Sequence, residues 1–254
     1  MLLRRITKHV KDQNWFAVGL DFFIVVVGVF IGIQVSNWND SLADIAKEAQ
    51  ALEGLRSDFQ QMDIVVERAI AFHERAFGGL QAVVEALEAE KLPDADIAKF
   101  EDGLRYGYRS AAVTAVSSTL SELTSTGQIN LLRDAKLRKA LTEYELFRES
   151  ATEGHRNVRS AVALYARDFT AQFNYDINSN RPGTHDESAW AFRLSEVGEY
   201  NFAAMAADHA FKDAVYELRE FQLFDLNWHL NAMKRIEDIR LLLGDDLSSS
   251  EETK

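Results

Sequence analysis

The chain has 254 residues, 47% of them hydrophobic and 27% charged, which supplies a sizeable core and excludes a wholly disordered chain. The net charge is −12 although the first 38 residues carry more basic than acidic side chains, so the body of the chain is acidic and unsuited to nucleic acid. The absence of cysteine excludes disulfides and Cys-ligated metal centres, and the presence of only two prolines favours long helices.

The first predicted element is a membrane-spanning helix over residues 15–38. Eleven of the fourteen residues from Phe22 to Val35 are Phe, Ile or Val, which favour insertion into lipid. A helix of 24 residues, at a rise of about 1.5 Å each, is about 36 Å long and crosses a hydrocarbon core of about 30 Å with some tilt. Trp15 and Trp38 mark the two ends, where indole side chains anchor a helix at the interface.

Two features of this segment predict contacts with a second helix. Gly28 and Gly32 form a G-x-x-x-G pair on one face, and small residues at that spacing let two helix backbones approach closely. Asp21 lies within two turns of the N-terminal end, where it is either a headgroup-level residue or a buried polar contact to a partner helix. Membrane helix packing through Gly28, Gly32 and Asp21 is therefore a hypothesis.

A cleaved signal peptide and the core helix of a soluble protein are the alternatives to a membrane anchor. The apolar stretch is long for a signal peptide, and no A-x-A-like cleavage site follows it. The charge of Asp21 is the reason to keep the core-helix interpretation open.

The charge on either side of the span predicts its orientation. Residues 1–14 form a basic arm, and the residues just after the span are neutral or acidic, so the positive-inside rule places the N-terminus in the cytoplasm. The predicted location is the bacterial inner membrane, with residues 39–244 as a periplasmic or otherwise extracytoplasmic helical domain. The basic residues of the N-terminal arm are Arg4, Arg5, Lys8 and Lys11. At the other end of the chain, residues 245–254 are predicted to be a flexible tail.

Residues 41–90 are predicted to form one long helix or two joined helices. Apolar side chains recur at alternating steps of three and four, the near-heptad spacing of a helical stripe, at Leu52, Leu55, Phe59, Met62, Val66 and Ala69. His73 continues this stripe and is interpreted as a core residue rather than a pH sensor or a ligand. Gly78 and Gly79 are candidate positions for a bend.

Further helices are predicted over residues 95–106, 112–126, 135–173 and about 208–244. Their end signals are the N-cap residues Asp94 and Asp134 and the C-cap residue Gly127. An apolar stripe along the last helix is interpreted as core, at Phe211, Val215, Leu218, Phe221, Phe224, Trp228, Ala232, Ile236 and Ile239. Residues 174–188 are polar and aperiodic, so a loop is predicted there and no strand is predicted anywhere. The predicted class is all-α, with one N-terminal transmembrane helix followed by a long-helix bundle domain.

The sequence contains no recognisable catalytic or cofactor motif. None of the six histidines follows a glutamate at the spacing of di-iron sites, and metalloprotease, hydrolase and nucleotide-binding signatures are absent. On the last helix His209 with Asp213, and Asp225 with His229, stand four residues apart, but no third metal ligand is indicated. We therefore predict no catalytic, cofactor-binding or metal-binding residues, no cofactor and no enzymatic activity.

Two stretches carry a further motif. The apolar helix ends with Gln34, Asn37, Trp38 and Asn39, and the middle of the chain has a second pattern at Leu123, Gly127, Leu131, Leu132, Asp134, Leu137, Arg138, Leu141 and Tyr144. These stretches, about a fifth of the chain, resemble a family of uncharacterised bacterial single-pass membrane proteins whose apolar helix ends in a Q-x-N-N-W-N-like motif. Ser36 departs from that motif by replacing one asparagine. The resemblance implies a membrane anchor with a helical domain and no particular activity.

The expected role is a membrane-anchored helical scaffold or an accessory subunit of an envelope complex. The expected partners are the lipid bilayer, a second copy of the chain and another membrane protein, with no nucleic acid. The alternatives are a sensor-like helical domain that binds a small ligand between its helices, and an enzyme.

Overall fold

The computed structural model describes residues 15–92, 95–111, 115–179 and 195–245, with side chains from residue 19 onward. These residues confirm the predicted all-α class and contain six α-helices, one 3-10 helix and one two-stranded sheet. The chain divides into two compact units, Met1–Ala51 and Leu52–Lys254. The predicted basic arm, the Asp94 cap and the tail after residue 245 lie outside the described residues.

In the first unit the described residues belong to a single helix, α1, which spans Trp15–Glu88 and continues into the second unit. Its apolar segment is exposed on every side, with Phe22 71% exposed and Phe30 61% exposed. The most apolar window of 18 residues has a mean hydropathy of 2.1 and no buried residue. Among the described helices, α1 is the one that is long and apolar enough to cross a membrane.

In the second unit α1 supplies one continuous buried stripe, which confirms the stripe predicted from Leu52 to Ala69, except that Leu52 is only partly buried, and extends it to the end of the helix. The helix passes through Gly78 and Gly79 without a break. The buried side chains follow alternating steps of three and four residues, at Leu55, Phe59, Met62, Val66, Ala69, His73, Ala76, Leu80, Val83 and Leu87.

The other helices of the second unit are α2 (Ile97–Tyr106), α3 (Ser118–Ser125), α4 (Ala135–Thr170), α5 (Phe202–Ala207) and α6 (His209–Leu242), with a 3-10 helix at Gln128–Leu131. The predicted cap of α4 is confirmed, because the Asp134 carboxylate accepts hydrogen bonds from the first backbone N–H groups of the helix. Gly127 follows α3 with a φ of 69°, a left-handed conformation that glycine adopts without strain.

The helix predicted over 112–126 is wrong at its start, because α3 begins only at Ser118. The preceding Ser117 has an extended backbone, and its hydroxyl accepts a hydrogen bond from the backbone N–H of Leu120. The carboxylate of Asp58 on α1 accepts hydrogen bonds from the Ser117 hydroxyl at 2.7 Å and the Thr119 backbone N–H at 2.9 Å. Burial raises the pKa of Asp58, but these hydrogen bonds outweigh burial and leave the pKa lowered. A charged group on α1 therefore fixes where α3 starts.

The expectation that no strand forms is also wrong. Residues Phe173–Tyr175 (β1) and Val197–Tyr200 (β2) pair antiparallel, with Phe173 opposite Tyr200. The strands close one end of the core, where Phe173 stacks edge-on against Phe169 with ring centroids 5.4 Å apart. Strands of three and four residues are too short to show the alternation by which a strand is recognised in a sequence.

Helices α1 and α2 touch backbone to backbone at Gly79 and Gly103. A Cβ atom on Gly79 would lie 2.3 Å from the backbone nitrogen of Gly103, and one on Gly103 would lie 2.4 Å from the carbonyl oxygen of Gly79. Both obstacles are backbone atoms, so no side-chain rotation relieves the overlap. Gly79 is therefore required for close helix packing.

The two adjacent glycines give a test with an internal control. We expect Gly79→Ala to lower the free energy of unfolding by about 3 kcal/mol, at the upper end of overpacking penalties. Gly78→Ala meets no atom within 4 Å and should raise stability by about 0.5–1 kcal/mol through helix propensity. Urea denaturation of the full-length variants in detergent micelles measures both changes. Equal effects at the two positions would contradict the glycine contact.

Candidate functional site: a buried histidine cluster

Three histidines from three different helices meet in the core of the second unit. His73 lies on α1, His155 on α4 and His229 on α6. His73 is fully buried, His229 is 2% exposed, and the side chain of His155 is 10% exposed. Asp225 and Gln222 on α6 share this environment and are likewise buried. Unpaired polar side chains are rarely buried, so each of these groups needs a partner.

Gln222 fixes the protonation pattern of His73. The Nε2 atom of Gln222 lies 2.8 Å from the carbonyl oxygen of Gly107 and 2.7 Å from that of Arg109. Because carbonyl oxygens only accept, this atom is the amide donor, and the Oε1 atom of Gln222 faces His73. The Nδ1 atom of His73 lies 2.7 Å from that oxygen and therefore carries the hydrogen.

Asp225 fixes the protonation pattern of the other two rings. The Nδ1 atom of His155 lies 2.9 Å from the Asp225 carboxylate, which also accepts a hydrogen bond from the Ser110 hydroxyl at 3.2 Å. The Nδ1 atom of His229 lies 2.7 Å from the backbone carbonyl oxygen of Asp225. Both partners are acceptors, so both Nδ1 atoms donate. In the neutral state all three rings therefore keep their lone pair on Nε2.

The rings are close to one another, and two of their Nε2 atoms have no hydrogen-bond partner among the residues that the structure describes. The ring centroids of His73 and His229 are 5.0 Å apart in a stacked arrangement, and those of His155 and His229 are 5.1 Å apart. The Nε2 atoms of His73 and His229 are buried and unpaired. A cavity of about 20 Å³, room for about one water molecule, adjoins the rings of His155 and His229 and is also lined by Val66, Tyr144, Arg148 and Trp228.

Burial makes the two innermost histidines weak bases. Burial, with smaller contributions from the neighbouring His73 and His155, lowers the pKa of His229 to about 4 despite the raising effect of Asp225. Burial also lowers the pKa of His73, an effect partly offset by the hydrogen bond with Gln222. Since a free histidine titrates near pH 6.5, the cluster favours folding above that pH and loses this contribution as the pH falls toward 4.

The described residues include no group of three His, Asp or Glu side chains that could hold a metal ion as they stand. The pair of His209 and Asp213, also four residues apart in the sequence, lies at the start of α6. His209 is the first residue of that helix and is exposed. Asp225 and His229 do come together, but the ring of His229 binds the backbone of Asp225, and the carboxylate binds His155.

The residues predicted to anchor or pack the membrane helix lie in the N-terminal part of α1, well before His73 in the sequence. Gly28 and Gly32 are open, with no atom within 4 Å of a Cβ placed on either. Asp21 and Trp38 are exposed, and the backbone of Trp15 starts the helix. None of these residues has a role in the histidine cluster.

The cluster replaces part of the apolar stripe that was predicted for α6. Phe224 is 43% exposed and Trp228 is only partly buried, whereas Gln222, Asp225 and His229 take the core-facing positions. These polar residues keep the alternating steps of three and four that begin at Phe211, Val215 and Leu218 and resume at Ala232, Ile236 and Ile239. Strict periodicity, applied without regard to hydrophobicity, would have identified them.

No protein-family model, curated protein or solved structure matches the chain. The family resemblance of the two stretches described above therefore stays a prediction.

Gln222 should be the most sensitive polar residue of the cluster to substitution. Gln222→Leu keeps the volume but leaves His73 Nδ1 and two carbonyl oxygens unpaired, each at a cost of about 1–3 kcal/mol. We expect a loss of about 3–5 kcal/mol in the free energy of unfolding, measured by urea denaturation. Gln61→Leu on the exposed face of α1 is the matched control and should change stability by less than about 0.5 kcal/mol. A loss no larger than that of the control would refute the hydrogen-bond arrangement.

Proposed function

We propose that this protein is anchored in the bacterial inner membrane by the N-terminal part of α1 and acts as a helical scaffold or accessory subunit of an envelope complex. The observation that supports the anchor best is the exposure of the apolar side chains between residues 19 and 35 on all faces of the helix. An exposed apolar surface of this kind favours aggregation in water, whereas apolar side chains favour insertion into lipid.

A soluble core helix and a cleaved signal peptide, the two alternatives to an anchor, have less support. The core helix of a soluble protein buries its apolar side chains, and the apolar window of α1 buries none. A signal peptide is normally removed at a site that follows its apolar stretch, and no A-x-A-like cleavage site follows this one. The basic residues before the span support an N-terminus in the cytoplasm and an extracytoplasmic second unit.

Self-association is the part of the scaffold proposal that the first unit supports. Exposed residues repeat at alternating steps of three and four along one face of α1, at Gly28, Ile31, Val35, Trp38, Leu42, Ile45 and Ala49. This is the spacing of a helix seam, and two copies inserted in the same orientation bring their seams together in parallel. The cavity beside His229 has room for about one water molecule, so this cavity does not support the ligand-binding alternative.

Membrane insertion has a direct test in a Gram-negative host. We expect the full-length chain to resist extraction by alkaline carbonate, and alkaline phosphatase fused to its C-terminus to be active, because that enzyme matures only outside the cytoplasm. Val26→Arg with Val29→Arg should abolish both results, since each arginine near the middle of the span costs about 2.5–3.5 kcal/mol. Leu164→Arg with Ile177→Arg, at exposed positions of the second unit, should change neither.

Two results would refute the anchor. One is release of the unaltered protein by carbonate. The other is a mature chain shortened at its N-terminus, detected by intact-mass measurement, because that indicates a cleaved signal peptide.

Self-association can be measured without interference, because the chain has no cysteine of its own. We expect the single-cysteine variant Val35→Cys to form disulfide-linked dimers in membranes after mild oxidation. Gly28→Leu with Gly32→Leu should reduce the dimer fraction several-fold, because the larger side chains keep the helices apart. Gly19→Leu lies on the opposite face and should leave the fraction unchanged. No glycine here has an atom within 4 Å of its Cβ position, so no effect arises within one chain. Monomers in every variant would disprove self-association through this seam.

A further inference from the structure

The histidine cluster has three imidazole rings that can bind a proton, and one of them, that of His155, contacts the carboxylate of Asp225. Five titratable or charged side chains face one another or the adjoining cavity, namely His73 from α1, His155 and Arg148 from α4, and Asp225 and His229 from α6, with the Tyr144 hydroxyl nearby. Around them lie the neutral groups of Gln222, Ser110 and the carbonyls of Gly107 and Arg109. Arg148 is already paired with Glu145 on its own helix. Asp225 is thus the carboxylate that contacts a histidine of the cluster.

The Asp225 carboxylate is engaged with the ring of His155, with which it shares a 2.9 Å contact. A proton on His229 or His73 creates a cation that no carboxylate of the described residues contacts, with another imidazole 5.0–5.1 Å away. The protonated Nε2 atom of His229 would also be a buried donor with no acceptor among the described residues. At His73 a hydrogen bond with the backbone of Ala111 raises the pKa, and burial is the larger, opposing effect.

We propose that this cluster is an acid-operated switch, in which His73 and His229 take up protons together and thereby open the packing of α6 against α1 and α4. In the open state water solvates both imidazolium ions, so opening removes the cost of burying them. The switch loosens the hydrogen bonds that hold the segment 107–111 to α6 through Gln222 and Asp225. This inference goes beyond the proposed scaffold function and does not depend on membrane insertion.

The number of protons gives the proposal a quantitative signature. Each histidine that is neutral when closed and charged when open contributes one power of ten per pH unit to the opening equilibrium constant. Over the pH range in which both histidines are neutral when closed and charged when open, that constant rises about 100-fold for each unit by which the pH falls. A single titrating group gives about a 10-fold rise, so the slope distinguishes a two-proton switch from an ordinary buried histidine.

The cavity beside the cluster offers a position for the reporter. Val66 is 1% exposed and lines the same cavity as His155 and His229, so Val66→Cys places the only thiol of the chain where labelling requires opening. The full-length variant in detergent micelles is labelled with a dipyridyl disulfide, which reacts with thiols in acid. Dividing the labelling rate by that of a free model thiol at each pH gives the opening equilibrium constant. Far-UV circular dichroism at each pH reports whether the helices persist.

Asparagine substitutions remove titration with the least structural change. The asparagine side-chain NH₂ group replaces Nδ1 as a donor, so His73→Asn and His229→Asn can keep the hydrogen bonds to Gln222 and to the Asp225 carbonyl. Added to Val66→Cys, each should reduce the slope from about 100-fold to about 10-fold per pH unit, and the pair should nearly remove it. His209→Asn, the same change at an exposed histidine of α6, should keep the 100-fold slope.

Three outcomes would overturn the switch. The first is a slope of 10-fold or less per pH unit in the Val66→Cys parent. The second is a slope that neither His73→Asn nor His229→Asn changes. The third is loss of the helical circular dichroism signal over the same pH range as labelling, because the event is then acid denaturation of the whole domain.

Discussion

The buried stripe of α1 is the constraint on which the second unit depends. Four other helices are positioned by contacts with it: α2 crosses at Gly79, the first turn of α3 is held by Asp58, α4 packs against Phe59, and α6 is joined to His73 through Gln222. Alternating steps of three and four residues keep a stripe on nearly one face of a helix, so a single long helix can present it to several partners in turn. The same periodicity continues into the first unit, where the described residues of this chain leave it exposed.

The polar cluster interrupts that apolar arrangement at the level of His73, and its placement has an energetic cost. Each buried polar group without a partner costs about 1–3 kcal/mol, and a core of leucine or phenylalanine at these positions would avoid the cost. The hydrogen bonds of Gln222 and Asp225 fix the Nδ1 side of every ring and leave Nε2 of His73 and His229 unpaired. Positions that break the local rules of a sequence otherwise consistent with its fold are where functional sites are expected.

The sequence was sufficient for the helical class, the stripe of α1 and the N-cap at Asp134, because each depends on residues close together in the chain. It was insufficient where a distant residue decides a local structure. The start of α3 depends on Asp58, which lies 59 residues before Ser117. The sheet depends on pairing Phe173 with Tyr200 across a long connection, and the need for Gly79 depends on where α2 crosses α1.

The histidine cluster was missed for a related reason. Each histidine continues the core-facing stripe of its own helix. Burial was therefore predicted for His73, and the same periodicity predicts it for His155 and His229. Their meeting depends on which helices face one another, and that depends on packing. On α6 the weight given to hydrophobicity selected Phe224 and Trp228, although the phase of the stripe pointed to the polar residues beside them.

The glycine contact between α1 and α2 has a consequence for cooperativity. With no side chain between the backbones, α2 has little freedom to slide along α1, and its position sets where the chain goes immediately afterwards. The carbonyls of Gly107 and Arg109, which Gln222 binds, follow the end of α2 by one and three residues. A displacement at the crossing therefore reaches the amide of Gln222 through one short rigid segment. Gly79 and Gln222 should accordingly belong to the same cooperative folding unit. Their backbone amide protons should exchange with solvent in a single sub-global opening.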